Sequence, residues 1–356
     1  MNDSLFAEIE RLTALAGPVG QEGAVLDAVQ ARWAALGAAT RRTRTGNVLG
    51  HIARPDAPKL LIAAHADELC YLVRSVAPSG LLFLANGQGW DRTTDLRNAF
   101  TIGSRVKVLA RNGPIPGTIA SATGHVATLA LRDLQELTWN DFWVDTGLPR
   151  AELLARGVTP GTRIVWDARA ERWGDRVVGK ALDDRALLAV MGEWLARADR
   201  ARLAWDVTLA CTVQEEIGTI GAHALAADAL ASGVRYDAAI ALEIGLAGDI
   251  PPIGQDTMPL ALGAGPVLVH KDALIHYDYA LTRALQDCAA DAGIAIQHAV
   301  FGSFGSDGRA FMQADIPSAM LAFPARYTHS PFEMGDLGDI AALVEWLLAF
   351  TARSRN

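Results

Sequence analysis

Two stretches of this chain are nearly free of polar side chains, and each ends abruptly on charged ones. Lys59 to Ala64 runs Lys-Leu-Leu-Ile-Ala-Ala and leads into His65-Ala66-Asp67-Glu68. Trp205 to Val213 is a second mostly apolar run and leads into Gln214-Glu215-Glu216-Ile217-Gly218-Thr219. A strand with one face in water alternates apolar and polar residues, whereas a strand covered on both faces is apolar throughout. These runs therefore predict the interior strands of a sheet sandwiched by helices, an α/β architecture. Their charged ends matter as much, because ligands of such sheets gather at the carboxyl ends of the strands.

The remaining periodicity fits that frame. Leu5, Ile9, Leu12 and Leu15 share one face of a helix over 4–16, which Pro18 and Gly20 stop. A second helix is predicted from Glu22 to Leu36, and a strand over Asn47 to Ile52. Helix and strand then alternate again after residue 183, with helices near 183–198, 219–231, 274–292 and 337–352 and strands at 205–213, 236–243 and 318–323. Between about 71 and 165 the texture changes. Short β-like runs at 81–84, 105–109, 117–119, 126–131 and 142–144 are separated by turn signals such as Pro78-Ser79-Gly80, Asn112-Gly113-Pro114 and Thr159-Pro160-Gly161. We read an all-β insertion here, a small barrel. The expected domains are thus a discontinuous catalytic unit (1–70 and 166–356) and an inserted barrel (71–165). A length of 356 residues, above the usual single-domain size, agrees with two units.

A net charge of −8 argues against nucleic acid or an anionic membrane as a partner. Cys70, Cys211 and Cys288 lack paired spacing and read as buried thiols in a reducing compartment. The first residues show no export signal, and no apolar stretch reaches membrane-spanning length, so a cytoplasmic location is expected.

Four clusters fall at predicted strand or helix ends: His65-Ala66-Asp67-Glu68, Gly179 to Arg185, Glu215-Glu216, and Arg326-Tyr327-Thr328-His329-Ser330-Pro331. Each has a bland reading. A strand-end histidine is commonly structural, Asp183 and Asp184 suit a helix start, and a glutamate pair can simply be solvated. Asp184 with Arg185 reads as a helix-start charge pair. Two histidines and several carboxylates at successive strand ends are, however, enough ligands for a two-metal site with a bridging carboxylate.

These blocks, in this order, resemble the cytosolic metallo-aminopeptidases that include glutamyl aminopeptidase and the tetrahedral aminopeptidases, some of them labelled endoglucanases. Gly263 to Pro266, Ser306-Asp307-Gly308 and the run Trp143 to Gly161 match in kind and order as well. The resemblance implies a zinc-exopeptidase-like mixed α/β sheet and a metalloprotease that removes N-terminal residues from short peptides. It implies two divalent ions per subunit, zinc or cobalt. His65 would ligate one, Asp183 would bridge, and Glu216 with His329 would hold the second. Glu243 stands where an aspartate is usual and would complete the first shell. Glu215 would be the general base acting on a metal-bridging water, and Asp67 would orient His65. The insertion would form a homodimer, with a homododecamer as the larger assembly, and His125 would reach towards a neighbouring site. Glu243, Cys70 in place of a common glycine, and Ser306 in place of a threonine depart from the pattern. Two rivals stand beside this reading: another amide hydrolase on the same metals (a deacylase or carboxypeptidase), and an inactive scaffold.

Overall fold

The computed structural model describes residues 2–87, 102–122, 138–251, 253–254 and 257–353. Two helices, α1 (Asn2–Thr13) and α2 (Gly23–Ala35), lead into β1 (Ala39–Arg42), β2 (Val48–Ile52) and β3 (Lys59–His65). The barrel segment follows as β4 (Tyr71–Val76), β5 (Leu82–Asn86), β6 (Arg105–Val108), β7 (Ile115–Ser121), β8 (Phe142–Asp145), α3 (Arg150–Ala155) and β9 (Arg163–Trp166). The chain then returns through β10 (Glu171–Trp173), β11 (Arg176–Gly179), α4 (Leu182–Arg197), β12 (Asp206–Thr212), α5 (Ile220–Ser232) and β13 (Ala238–Leu246). It closes with β14 (Val267–Lys271), α6 (Tyr279–Asp291), β15 (Gln297–Val300), α7 (Gly308–Gln313), β16 (Ser318–Arg326), β17 (Glu333–Asp336) and α8 (Leu337–Thr351).

The large mixed sheet runs β1-β2-β12-β3-β13-β16-β17-β11-β10, with β14 and β15 branching from β16. Its centre, β12-β3-β13-β16, is wholly parallel, and these four strands are buried almost from end to end. Alternate residues serve opposite faces. Leu60, Ile62, Val207, Leu209, Ile240 and Leu242 join the core built with α1, α2, α4, α6 and α8. Leu61, Ala63, Ala210 and Ala239 pack with α5 and α7. The expected sandwich is present, and the parallel centre sends four carboxyl ends to one side.

Strands β4-β5-β8-β7-β6-β9 close into an antiparallel barrel around Val73, Leu84, Val106, Ile119, Phe142, Val144 and Ile164. Tyr71 caps this core edge-on to Trp139 and Trp166, with ring centroids 6.1 and 5.9 Å away. The strand expected at 126–131 and His125 lie outside the described residues. Short elements escaped the sequence reading: β1, β4, β9, β10, β11, β14, β15, β17, α3 and α7. Most span only three to six residues, too few for a periodicity to register.

Candidate metal centre

The site is assembled from the carboxyl ends of the parallel strands. His65 is the last residue of β3, the Glu215-Glu216 pair follows β12, Glu243 lies within β13, and His329 follows β16. Asp183 enters from the side at the start of α4. The loops bend sharply to present these groups. Ala181, Gln214, Thr219, Tyr327 and His329 all have φ between 52° and 62°, a left-handed backbone that non-glycine residues adopt at a cost. Strain of this kind, about 1–3 kcal/mol per residue, persists only where the surroundings impose it, and it gathers at functional sites. The Asp183–Asp184 peptide bond is cis.

Two donor sets result, His65–Asp183–Glu243 and Asp183–Glu216–His329, each with ligand atoms within 4.8 Å of one another. Asp183 belongs to both. Its Oδ1 lies 3.0 Å from His65 Nε2, and its Oδ2 lies 3.4 Å from His329 Nε2. His329 Nε2 is also 3.7 Å from Glu216 Oε2. Glu243 turns back so that Oε1 accepts the amide of Ile244 at 2.9 Å. Its carboxylate stays within the cluster.

Behind the donor sets lies a layer of carboxylates that grip backbone. Asp67 accepts the amides of Glu215 and Glu216 at 3.0 and 3.1 Å, one on each oxygen. Glu333, at the start of β17, does the same for His329 and Asp183 at 3.0 and 3.1 Å. Asp184 Oδ2 accepts the amide of His65 at 2.9 Å. Bonds to both oxygens of one carboxyl group fix a loop far better than a single bond. Asp67 also faces His65 Nδ1 at 3.5 Å, although that nitrogen completes no hydrogen bond. Asp67 therefore holds the glutamate pair more firmly than it holds the imidazole.

Sequence reasoning missed Glu333. Only its position four residues after His329 hinted at a role, and its partners are backbone groups that carry no residue signature. The expected Asp184–Arg185 charge pair is not formed. Arg185 is fully buried and donates instead to Glu68 Oε1 at 3.0 Å and to the carbonyls of Leu12, Leu15, Gly17 and Ala66. Lys180 Nζ completes the cluster at 2.6 Å from Glu68 Oε2. The carbonyl cage left by the turn after α1 attracts the guanidinium more effectively than its sequence neighbour does. Ser306 is buried and shares a 2.7 Å bond with the Tyr277 hydroxyl. Cys70 is also buried, and burial pushes its thiol up to about 12, so it is inert at neutral pH.

Burial and mutual repulsion raise the site's acids. Burial, then nearby carboxylates, hold Glu215 and Glu243 well above the usual carboxyl range. Burial lifts Glu216 to about 7 despite His329, and Glu333 to about 8. Asp183 goes the other way, because hydrogen bonds from His329 and His65 outweigh its burial. In His329 the pull of Glu216 and Asp183 overcomes burial and raises the imidazole to about 9. Acids pushed up by one another are short of positive charge. Two sets of nitrogen and oxygen donors sharing one carboxylate suit a pair of divalent cations, which such a shared ligand can hold about 3.5–4 Å apart. The site opens into a cavity of about 490 Å³ that also exposes Ile244, Leu246, Leu274, Phe304 and Arg309.

Comparison with known proteins agrees with this architecture. The model of the M42 glutamyl aminopeptidase family matches residues 46–346. A protein of Escherichia coli (strain K12) bearing the name "Putative aminopeptidase FrvX" is 32% identical over 299 residues, covering 82% of this chain and 80% of its own. An aminopeptidase from the archaeon Desulfurococcus kamchatkensis superposes with a TM-score of 0.90 at 26% identity, covering 99% and 96% of the two chains. The Pyrococcus horikoshii TET1 peptidase, described as assembling into a tetrahedron or a large octahedral shell, has a TM-score of 0.84 at 26% identity over 98% and 99%. The chain thus belongs to the M42 glutamyl aminopeptidase family and is a peptide hydrolase.

Proposed function

We propose that this protein is a two-metal aminopeptidase that trims residues from the free N-terminus of short peptides. The observation that carries the reading is Asp183, shared by two donor sets whose other members are His65 with Glu243 and Glu216 with His329. Bound divalent ions, zinc or cobalt, would polarise the scissile carbonyl and acidify the attacking water. Glu215 takes that proton and delivers it to the leaving amine. It suits the role because it lines the same cavity yet belongs to neither donor set. Its neighbour Glu216 is engaged with His329 and cannot share the task. Asp67 fixes the two roles by holding both backbone amides, so that successive side chains point to different atoms. Several cavity carboxylates are placed to receive the cationic amine of a peptide.

Assembly through the barrel as a homodimer, and in larger shells such as that described for Pyrococcus horikoshii TET1, belongs to the same reading. So does a cytoplasmic location, in keeping with three buried free thiols. The test is hydrolysis of an aminoacyl-anilide panel with and without chelator, alongside metal content. Glu215→Gln should lower kcat by about 10²–10⁴-fold with metal still bound. Undiminished turnover in that variant would remove Glu215 from the mechanism. Activity only on acetylated amino acids would favour a deacylase.

A further inference from the structure

Two imidazoles meet on the outer branch of the sheet. His270 Nε2 lies 2.9 Å from His298 Nδ1, and the rings stack with centroids 5.1 Å apart and planes 19° from parallel. His270 belongs to β14 and His298 to β15, which runs parallel to it. The register between the two strands slips after Val269. Ala299 faces Val269 and Val300 faces Lys271, so His270 has no opposite number. A bulge of this kind is rare between parallel strands, and it re-aims a side chain. Here it brings His270 onto His298, which the regular part of the register sets opposite Leu268. The pair lies at the other end of the sheet from the candidate metal centre. Strand β14 is antiparallel to β16, with Val267 level with Ala322 and Val269 with Met320. Its carboxyl end therefore points towards the amino end of β16, away from the loop that carries His329. Neither histidine lines the cavity of the metal centre.

The histidine ion pairs among the described residues belong to His51, His65 and His329, and His270 and His298 join none of them. His298 is exposed and His270 half-buried. Burial, then the neighbouring ring, hold His270 below its ordinary value, so it presents a neutral ring at neutral pH. The 2.9 Å separation is also the bite of a chelate. Two nitrogens about 2.0–2.1 Å from one ion are about 3 Å apart at a right angle and about 3.4 Å apart at the tetrahedral angle. Right angles between nitrogen ligands belong to the square-planar and tetragonal ions, Cu(II) and Ni(II). We propose that His270 and His298 form a peripheral chelate for a divalent transition-metal ion of this kind, Cu(II) foremost, separate from the candidate metal centre. In the free pair one of the two facing nitrogens carries a proton. Binding moves that proton to the far nitrogen of the same ring, and a turn of each ring aims both lone pairs at the ion, so no proton is lost. The ion would clasp β15, whose sole strand partner among the described residues is β14.

The experiment titrates zinc-loaded protein of measured zinc content with copper(II) chloride and compares wild type with His270→Gln and His298→Gln. Wild type should take up a single copper ion per chain without releasing zinc. Its electron paramagnetic resonance spectrum should show coupling to imidazole nitrogen. Losing a ligand costs at least as much as losing the group that orients it, so each variant should bind copper about 10- to 100-fold more weakly. Zinc content and turnover of aminoacyl-anilides should not change, because neither residue lines the cavity of the metal centre. Circular dichroism of the copper-free variants checks the fold. His298 is exposed, so His298→Gln alone decides if His270→Gln fails to fold. Absence of copper uptake, or uptake equal in wild type and the folded variants, overturns the proposal. So does the release of one zinc for each copper bound, which would put the copper in the metal centre instead.

Discussion

The barrel and the carboxyl end of the sheet are two solutions to burying a chain, and they share almost nothing. Among the described residues from Tyr71 to Trp166, every buried side chain is hydrophobic. Its ion pairs, such as Lys107 with Asp167 at 2.7 Å, are left at the surface. Across the junction, Asp67, Glu68, Lys180, Asp183, Asp184, Arg185, Glu243, Asp307 and Glu333 are all buried within a few strands' width. Taking a charge out of water costs several kcal/mol, and pairing repays it only with good geometry. The barrel therefore draws stability from packing, whereas the sheet's end spends stability to hold charges where chemistry needs them.

The contrast can be broken most severely at the Glu68 cluster. Glu68→Gln leaves Lys180 and Arg185 as buried cations without an anion, and it should lower unfolding free energy by about 3–5 kcal/mol in urea titrations. An unchanged midpoint would mean that this cluster is solvated and that the two regions differ less than their burial indicates.

Acidity offers a second lever, specific to the sheet's end. Folded-state values of about 6 for Asp307, 7 for Glu216 and 8 for Glu333 lie above the ordinary 3.8, 4.5 and 4.5. Between those limits the folded chain holds more protons than the unfolded one, so stability falls as pH rises. His329, raised from 6.5 to about 9, acts in the same direction over its own window. Chelator-treated protein should therefore lose Tm steadily from pH 5 to 9. Glu333→Gln should flatten part of that slope, and zinc should restore more Tm at pH 8 than at pH 5.5, because cations displace the extra protons. A metal-free profile that rises over this range would contradict the repulsion described for the site.

The smallest effect belongs to the barrel. Ile164→Val removes one methylene from a fully buried position and should cost about 0.5–1.5 kcal/mol. Metal affinity should be unmoved, as titration calorimetry would show. A shift in metal binding would instead join the two cores energetically.

How much of this was legible beforehand follows the same division. His65, Glu216 and His329 stand out because a charged or ligating residue just past an apolar strand conflicts with its surroundings. Asp183, at a helix start, and Glu243, within a strand, were legible only through the family resemblance. The structure brings all five into two adjoining sets. The carboxylate layer behind them was largely invisible. Glu333 and Asp184 act on backbone amides as far as 150 and 119 positions away, and an amide leaves no trace in residue identity. Arg185 shows the opposite failure. Its neighbour Asp184 offered an obvious partner in sequence, but a cage of carbonyls nearer in space won. The barrel was legible only as texture, since short strands interrupted by turns reveal a class of fold and little about their closure.

The sheet's outer margins carry a consequence for company. Its exposed edges are β1, Ala-Thr-Arg-Arg, and β10, Glu-Arg-Trp, with the branch ending on β15, Gln-His-Ala-Val. None exceeds four residues, and each bears a charged or titratable side chain. An incoming strand from another molecule would find few amides to pair with and would have to desolvate Arg41, Arg42 or Arg172 to reach them. Short, charged margins thus guard the α/β unit against fibre-like growth, and leave ordered association to surfaces that do not depend on open backbone.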